Sequence, residues 1–260
     1  MSTVKPPVME VVVSAYRNVG RAIQAMPQLA VIAFLLSLAY SIIDFVLNPV
    51  PAPDTAEPTR IDPIVFVFSI VWSFLMTPVL IALHRFILLG EVTAGYAIDP
   101  KNPRFLRFFG WSLTLSLLLT VPAFLATAAS DQMGGYGAAV LFALLVGCFF
   151  VILRATILFP AIAVDAPGAT WSDAFTDTRG YVWRILAIGL VATLPLWLAL
   201  IPIYILQELT RANASLFAPS SILLVMVTGL VSAATSALLV AVASRLYQLI
   251  GDRVKQPSGA

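Results

Sequence analysis

The sequence predicts an all-α integral membrane protein with six transmembrane helices and short interfacial amphipathic helices. Of its 260 residues, 60% are hydrophobic and 11% are charged, whereas about 25% of the residues in an average soluble domain are charged. Six apolar runs reach the length of about 20 residues that a helix needs to cross a bilayer. No segment alternates with the period of a membrane barrel. Helices are therefore the structure that can satisfy the backbone in lipid.

The first predicted element is an amphipathic helix within residues 1–27. Apolar side chains recur at helical spacing on one side of it and polar side chains on the other. The apolar set is Val8, Val11, Val12, Ala15, Val19, Ala22, Ile23 and Met26. The polar set is Glu10, Ser14, Arg17, Arg21 and Gln24. Two placements are open for this helix: in the membrane interface, or packed on the cytoplasmic loops. The apolar run after it is too long for a signal-peptide core, so we expect it to be retained.

A single transmembrane domain is predicted for residues 28–250, followed by a cytoplasmic tail at 251–260. The six spans are expected near residues 28–48, 63–83, 108–129, 136–153, 182–206 and 220–244. Five prolines interrupt the apolar runs and predict kinks, because a proline inside a helix removes a backbone hydrogen bond. They are Pro78, Pro122, Pro160, Pro195 and Pro202.

The basic residues between the spans indicate the orientation of the chain. With the amino terminus in the cytoplasm, 13 of the 15 lysines and arginines fall on the cytoplasmic side, and only Arg60 and Arg211 fall on the other. The positive-inside rule then places both termini in the cytoplasm. The outer connections are acidic and too short to form a domain.

Two cytoplasmic connections are predicted to form short interfacial segments. Arginines and phenylalanines alternate at residues 104–109, which is typical of a segment anchored among lipid headgroups. After a Pro167-Gly168 turn, Thr170 and Asp173 have capping-box-like spacing, and Gly180 ends the helix. Since such a segment precedes each odd-numbered span, the layout suggests three hairpin units. The residue identities leave internal duplication and a coincidental layout both open.

These cytoplasmic segments carry a family resemblance. Residues Asp173–Leu186, together with the apolar Phe159–Asp165 before them, resemble the cytoplasmic-helix segment of six-span bacterial proteins related to the membrane domain of glycerophosphoryl diester phosphodiesterases. The stretch His84–Glu91 is similar to one found in proteobacterial members of that group. The resemblance implies the six-span fold and a bacterial inner membrane. It does not carry over the phosphodiesterase activity, because the soluble enzyme domain of that family is absent here.

Motifs for catalysis and for metal or nucleotide binding are missing from the sequence. The single histidine excludes any site that needs two, and no Cys/His cluster could hold zinc. There is neither a glycine-rich phosphate loop nor a Gly-x-Ser-x-Gly nucleophile turn. The net charge of +2 fits basic loops at a membrane rather than nucleic-acid binding. We expect no cofactor, no metal, no nucleic-acid partner and no catalytic residues.

Each of three apolar runs contains an arginine near its end, continues with apolar residues for a turn or more, and ends at an acidic residue. The arginines are Arg85, Arg154 and Arg245, and His84 precedes the first of them. Because an arginine in hydrocarbon costs at least about 2.5–3.5 kcal/mol, each side chain is expected to reach the interface. A second hypothesis is that all four residues converge on the phosphate of an anionic lipid or substrate, which suits the planar guanidinium.

Two further features concern the spans themselves. Asp44 is either an outer-interface residue or a buried intramembrane acid, with Asn48, Arg60 or Arg211 as its partner. The sixth span carries a stripe of small residues, which allows the close approach of another helix. The stripe consists of Gly229, Ala233, Ala237 and Ala241. Packing within the chain and formation of a homo-oligomer are both compatible with it.

The sequence therefore favours a non-enzymatic inner-membrane protein that contacts membrane lipids, above all anionic phospholipid, and scaffolds or assists envelope or lipid processes. The alternative is a small transporter or channel for an anionic or lipid-like solute, which needs a polar path through the bundle. Candidates for that path are Asp44, Ser73, Thr77, Thr235 and Ser236. An enzyme acting on lipid head groups ranks third, because only His84 with Glu91 could supply acid–base catalysis.

Overall fold

The structure, a computed structural model, describes residues 6–47, 63–209 and 219–256; most side chains between 123 and 138 lie outside that description. The described residues form helices and no strands. The helices are α1 (Val8–Ala25), α2 (Pro27–Leu47), α3 (Pro63–Leu89), α4 (Pro103–Ala155), α5 (Leu158–Ala163), α6 (Trp171–Asp177), α7 (Val182–Leu209) and α8 (Pro219–Ile250).

The prediction of six transmembrane helices is confirmed. In the described part of the chain, six helical segments are long and apolar enough to cross a membrane, so the protein is a multi-pass membrane protein. They are Pro27–Leu47, Phe66–Leu89, Pro103–Pro122, Ala139–Ala163, Val182–Leu206 and Pro219–Ile250. The fourth span reaches past the predicted end at 153 because α5 continues it.

Helix α4 joins the predicted third and fourth spans in one helical element of 53 residues. If it were straight, its ends would lie roughly 80 Å apart at 1.5 Å per residue. Yet the Phe108 ring lies 5.0 Å from that of Phe159, and the Trp111 ring lies 5.1 Å from that of Trp171. The helix therefore doubles back, and its two limbs form the hairpin that the spans predicted. The predicted spans leave residues 130–135 as their connection, and these residues are helical.

One end of the bundle carries α1, α5, α6 and the arginines Arg85, Arg154 and Arg245; we call it the basic end. The largest buried cluster lies here, where α1, α5, α7 and α8 meet. Val11 and Ala15 of α1 are fully buried, as are Leu158 and Ala161 of α5. The core of the protein therefore lies at the basic end, and the spanning helices extend from it toward the opposite end of the bundle.

Helix α1 packs its apolar face directly on the ends of the spanning helices α7 and α8. The predicted stripe is correct except for Ile23, which is 51% exposed. At 100° per residue, Ile23 lies about 80° around the helix from Ala15, at the edge of the stripe. Tyr16 also reaches into the bundle, and its hydroxyl donates to the carbonyl oxygen of Ala192 in α7 over 2.7 Å.

The capping prediction for α6 agrees with the structure. Thr170 accepts a hydrogen bond from the backbone N–H of Asp173 at 3.2 Å, which is the contact expected of an N-cap residue. The Thr170 hydroxyl in turn donates to the Asp173 carboxylate at 2.6 Å. Gly180 follows the helix with a φ of +84°, a conformation that glycine adopts without strain.

Residues 251–256, the described part of the tail predicted at 251–260, dock against the rest of the protein. Val254 is fully buried, and the Asp177 carboxylate accepts from the backbone N–H groups of Arg253 (2.8 Å) and Val254 (3.1 Å). A Cβ atom on Gly168 would lie 2.2 Å from the carbonyl oxygen of Arg253. Glycine at 168 thus lets the segment dock against the loop before α6.

Candidate functional site

His84 is buried where α3 meets α8. Its side chain is 1% exposed, and its Nδ1 lies 2.8 Å from the hydroxyl oxygen of Ser244. The Ser244 hydroxyl donates to the carbonyl oxygen of Val240 at 2.9 Å. Because that hydroxyl has one proton, it accepts from His84, which carries its proton on Nδ1. Nε2 is then left as the acceptor nitrogen.

Arg85 is held by an ion pair and a helix end. Its Nε and one Nη each donate to the Glu91 carboxylate at 2.7 Å, and the other Nη donates to the carbonyl oxygen of Ala163 at 3.0 Å. The bidentate geometry is the one that favours arginine over lysine. Arg85 therefore links the end of α3 to the end of α5.

The other two arginines contact different elements. Arg154 donates to the carbonyl oxygen of Phe175, and its guanidinium carbon lies 4.5 Å from the centre of the Phe175 ring. Arg245 donates to Gln248 at 2.9 Å and reaches Glu10 of α1 at 3.4 Å. Each of the three arginines thus fastens a different segment. Their proposed contact with lipid stays a prediction.

A pairing that the sequence did not single out lies beside Arg85. Arg104, at the start of α4, donates through Nε to both carboxylate oxygens of Asp165, at 3.0 and 2.9 Å. This hydrogen-bonded guanidinium lowers the pKa of Asp165 below its usual range. Asp165 has a φ of +52°, which is uncommon for a residue other than glycine. Arg85 and Arg104 line the same cavity of about 280 Å³.

A larger cavity lies inside the bundle, between α3, α4, α7 and α8. Its volume is about 520 Å³, and its lining is mostly aromatic and aliphatic; we call it the apolar chamber. Toward the basic end it is bounded by His84 and Phe108, and near the middle of the bundle by Thr235 and Ser236. Its volume falls within the usual range of ligand pockets, about 300–1,000 Å³.

One wall of the apolar chamber is incomplete. Several lining residues are large, apolar and exposed, among them Leu190 (59%) and Trp197 (57%) of α7 and Phe149 of α4. In a membrane, exposed apolar side chains at this depth face lipid tails. The chamber therefore opens sideways, toward the hydrocarbon interior.

A second cavity adjoins the chamber on the side away from the basic end. Its volume is about 280 Å³, and we call it the serine pocket. Its lining includes five serines and a tyrosine: Ser69, Ser73, Ser112, Ser116, Ser232 and Tyr40. The hydroxyl oxygens of Ser73 and Ser112 lie 3.2 Å apart. Trp72 and Ser112 line both cavities and form the boundary between them.

Two polar atoms of residues that line the chamber are buried without a hydrogen-bond partner in the described part of the chain. They are the indole Nε1 of Trp72 and the hydroxyl oxygen of Thr235, and both residues line the apolar chamber. Buried donors without a partner are uncommon, because each loses its hydrogen bonds to water.

The five residues that the sequence offered for a polar path occupy three kinds of position: lining a cavity, bonded to the backbone, or exposed. Ser73 lines the serine pocket, and Thr235 and Ser236 line the chamber. Thr77 instead donates to the backbone oxygen of Ser73 at 2.8 Å. Asp44 is exposed near the far end of α2, one turn from Tyr40. Its predicted partners Asn48, Arg60 and Arg211 lie outside the described residues.

The serine pocket was not predicted from the sequence, although the spacing of its serines is a signal for it. Ser69 and Ser73 are four residues apart on α3, as are Ser112 and Ser116 on α4. This spacing places each pair on one helix face. The spacing does not indicate whether that face of α3 or α4 packs against another helix.

Gly229, in the small-residue stripe on α8, packs closely against α2 of the same chain. A Cβ atom there would lie 2.9 Å from the Cα of Leu38 in α2. Ala241 is fully buried, while Ala233 and Ala237 are partly buried. Close packing of α2 on α8 therefore requires glycine at 229. Self-association through this span stays a prediction.

Among the described residues no group of histidine, cysteine, aspartate and glutamate could hold a metal ion. No protein-family profile, curated protein or solved structure matches the chain.

Proposed function

We propose that this protein is a non-enzymatic component of a bacterial inner membrane that contacts anionic phospholipid at its basic end and scaffolds or assists envelope or lipid processes. In this proposal both termini are cytoplasmic, and the basic end faces the inner leaflet. The proposed relation to membrane domains of glycerophosphoryl diester phosphodiesterases rests only on the sequence stretches His84–Glu91, Phe159–Asp165 and Asp173–Leu186.

The observation that carries the proposal is the distribution of charge. All lysines and arginines in the described residues lie at the basic end. Seven of them are exposed and make no ion pair within the described part of the chain. They are Arg17, Arg21, Lys101, Arg107, Arg179, Arg253 and Lys255. Each basic residue near an anionic leaflet contributes about 1 kcal/mol of binding.

An aromatic side chain supports the same placement. Trp183, at the start of α7, is 70% exposed and contacts the Phe150 ring edge-on. Tryptophan is enriched at membrane–water interfaces. An interface at the level of Trp183 puts the exposed cations among lipid headgroups.

The test uses exposed cations rather than the arginines that fasten the fold. Arg17→Gln with Arg21→Gln should weaken phosphatidylglycerol binding by about 2 kcal/mol, roughly 30-fold. The matched control on the same helix is Asn18→Ala with Gln24→Ala. Native mass spectrometry of the purified variants measures the retained lipid. Equal retention by both double variants would contradict the proposal.

A second candidate, a small transporter for a lipid-like solute, is favoured by the internal cavities. Polar residues line a path that reaches the middle of the bundle, and Pro195 and Pro202 interrupt α7 beside it. Exchange of a labelled amphiphile across proteoliposomes, against protein-free vesicles, tests this candidate. Exchange equal to that in the protein-free vesicles would exclude it for the solute tested.

A further inference from the structure

We infer that the apolar chamber and the serine pocket form one binding site for an uncharged amphiphile that has a single hydrocarbon chain and a head carrying hydroxyl or ester oxygens. This inference does not depend on contact with anionic lipid at the basic end. It concerns a different part of the molecule and a different chemical class of lipid.

The chamber suits a hydrocarbon chain. Its lining is mostly apolar, and its volume is about 520 Å³. If each methylene occupies about the volume of a water molecule, roughly 30 Å³, the chamber holds on the order of 17 of them. That is one fatty chain and not two. The exposed side chains of Phe149, Leu190 and Trp197 mark the opening through which a chain enters from the bilayer.

The serine pocket suits an uncharged polar head. Its serine and tyrosine hydroxyls both donate and accept hydrogen bonds, as alcohol and ester groups require. Among the described residues, no lysine, arginine, aspartate or glutamate lines either cavity. An anionic head would therefore be buried without a countercharge, which is far more costly than burial of a neutral polar group.

The wall of the chamber supplies donors for the oxygen where head and chain join, and Trp72 among them lies at the boundary with the serine pocket. The Trp72 indole N–H and the Thr235 hydroxyl are both buried and unpartnered. An ester or hydroxyl oxygen placed beside them would accept the hydrogen bonds that they lack within the protein.

The experiment measures binding of radiolabelled monooleoylglycerol to the purified full-length protein in detergent micelles. Competition with unlabelled monooleoylglycerol, oleate and dioleoylphosphatidylglycerol determines the preferred head group. We expect the neutral lipid to compete at least ten-fold better than either anion. Equal competition by the anions would overturn the inference about the head group.

Three variants locate the site. Gly189 lines the chamber, and a Cβ atom there meets nothing within 4 Å. Gly189→Leu should therefore fill the chamber without strain and reduce binding at least ten-fold. Thr235→Val removes one donor while keeping the shape and should weaken binding roughly five-fold. Trp72→Phe removes the indole N–H together with part of the ring surface, so it should weaken binding at least as much.

The matched control is Gly147→Leu on α4. A Cβ atom at Gly147 also meets nothing within 4 Å, but this residue does not line the chamber. Its binding should equal that of the unmodified protein. If Gly189→Leu binds as well as Gly147→Leu, the chain does not occupy the chamber and the inference is wrong. Thermal unfolding of each variant shows whether a loss of binding comes from misfolding.

Discussion

Adding one methyl group at Gly229 tests whether close contact between α2 and α8 holds the bundle together. The Cβ of Gly229→Ala would lie 2.9 Å from the Cα and 3.2 Å from the N of Leu38. These are backbone atoms, so the new methyl group can be accommodated only if a helix shifts. Overpacking of this kind costs about 1–3 kcal/mol.

The steric cost is partly offset by helix propensity, because alanine is favoured over glycine inside a helix by about 1 kcal/mol. Gly147→Ala has the same propensity gain, and its Cβ meets nothing within 4 Å. The difference in the free energy of unfolding between the two variants therefore isolates the contact. We expect Gly229→Ala to be about 1–3 kcal/mol less stable than Gly147→Ala.

Reversible unfolding in mixed detergent micelles, followed by tryptophan fluorescence, provides the measurement. Equal stability of the two variants within about 0.5 kcal/mol, the ordinary range for a neutral substitution, would refute the close packing of α2 on α8. A lower dimer fraction with unchanged stability would instead assign Gly229 to self-association. The experiment thus separates the two uses of the small-residue stripe.

Three other predictions concern the basic end. Ser244→Ala removes the acceptor of the buried His84 N–H and should lower the free energy of unfolding by about 1–3 kcal/mol, measured as above. Asp165→Asn should make stability less sensitive to acid. Arg104 depresses the pKa of Asp165 in the folded protein. The Asp165 carboxylate therefore contributes stability above its unfolded pKa of about 3.9, and this contribution is lost as the pH falls through the lower pKa of the folded state. Thermal unfolding between pH 3 and 7 checks this, and identical profiles would contradict it. Gln256→Cys in a cysteine-free background should react with an impermeant maleimide only in inverted membrane vesicles, whereas labelling of intact cells would reverse the proposed orientation.

The spans were predictable because the length of an apolar run is a local property of the sequence. The N-cap at Thr170 and the glycine at 180 were predictable for the same reason, since both act within one turn of α6. The connection predicted between 129 and 136 was not observed as a break. Glycine and polar residues disfavour helix only weakly, by about 1 kcal/mol or less per residue.

The partners of the arginines could not be predicted from the sequence. Arg85 and Arg154 donate to the backbone carbonyls of Ala163 and Phe175, and every residue offers such an acceptor. Arg245 reaches Glu10, which is 235 residues away. Contacts of this kind depend on how the helices pack, and the apolar pattern does not specify that packing.

The docked segment after α8 illustrates the same limit. Residues 251–256 are mostly polar, which is typical of a solvated tail. A single buried side chain, Val254, and two backbone N–H groups bound by Asp177 hold the segment in place. Neither the valine nor the aspartate stands out in the sequence.

The central position of α8 has a consequence for biosynthesis. This helix packs on α1, α2, α3, α5 and α7, yet it is the last of the described helices to leave the ribosome. The spans α2 and α7 therefore enter the bilayer before α8, their main packing partner, exists, and contacts between distant parts of the chain form slowly. Until α8 inserts, the α2 face around Leu38 stays open to lipid or to an insertion chaperone. Assembly of the described bundle is consequently completed late, when α8 inserts.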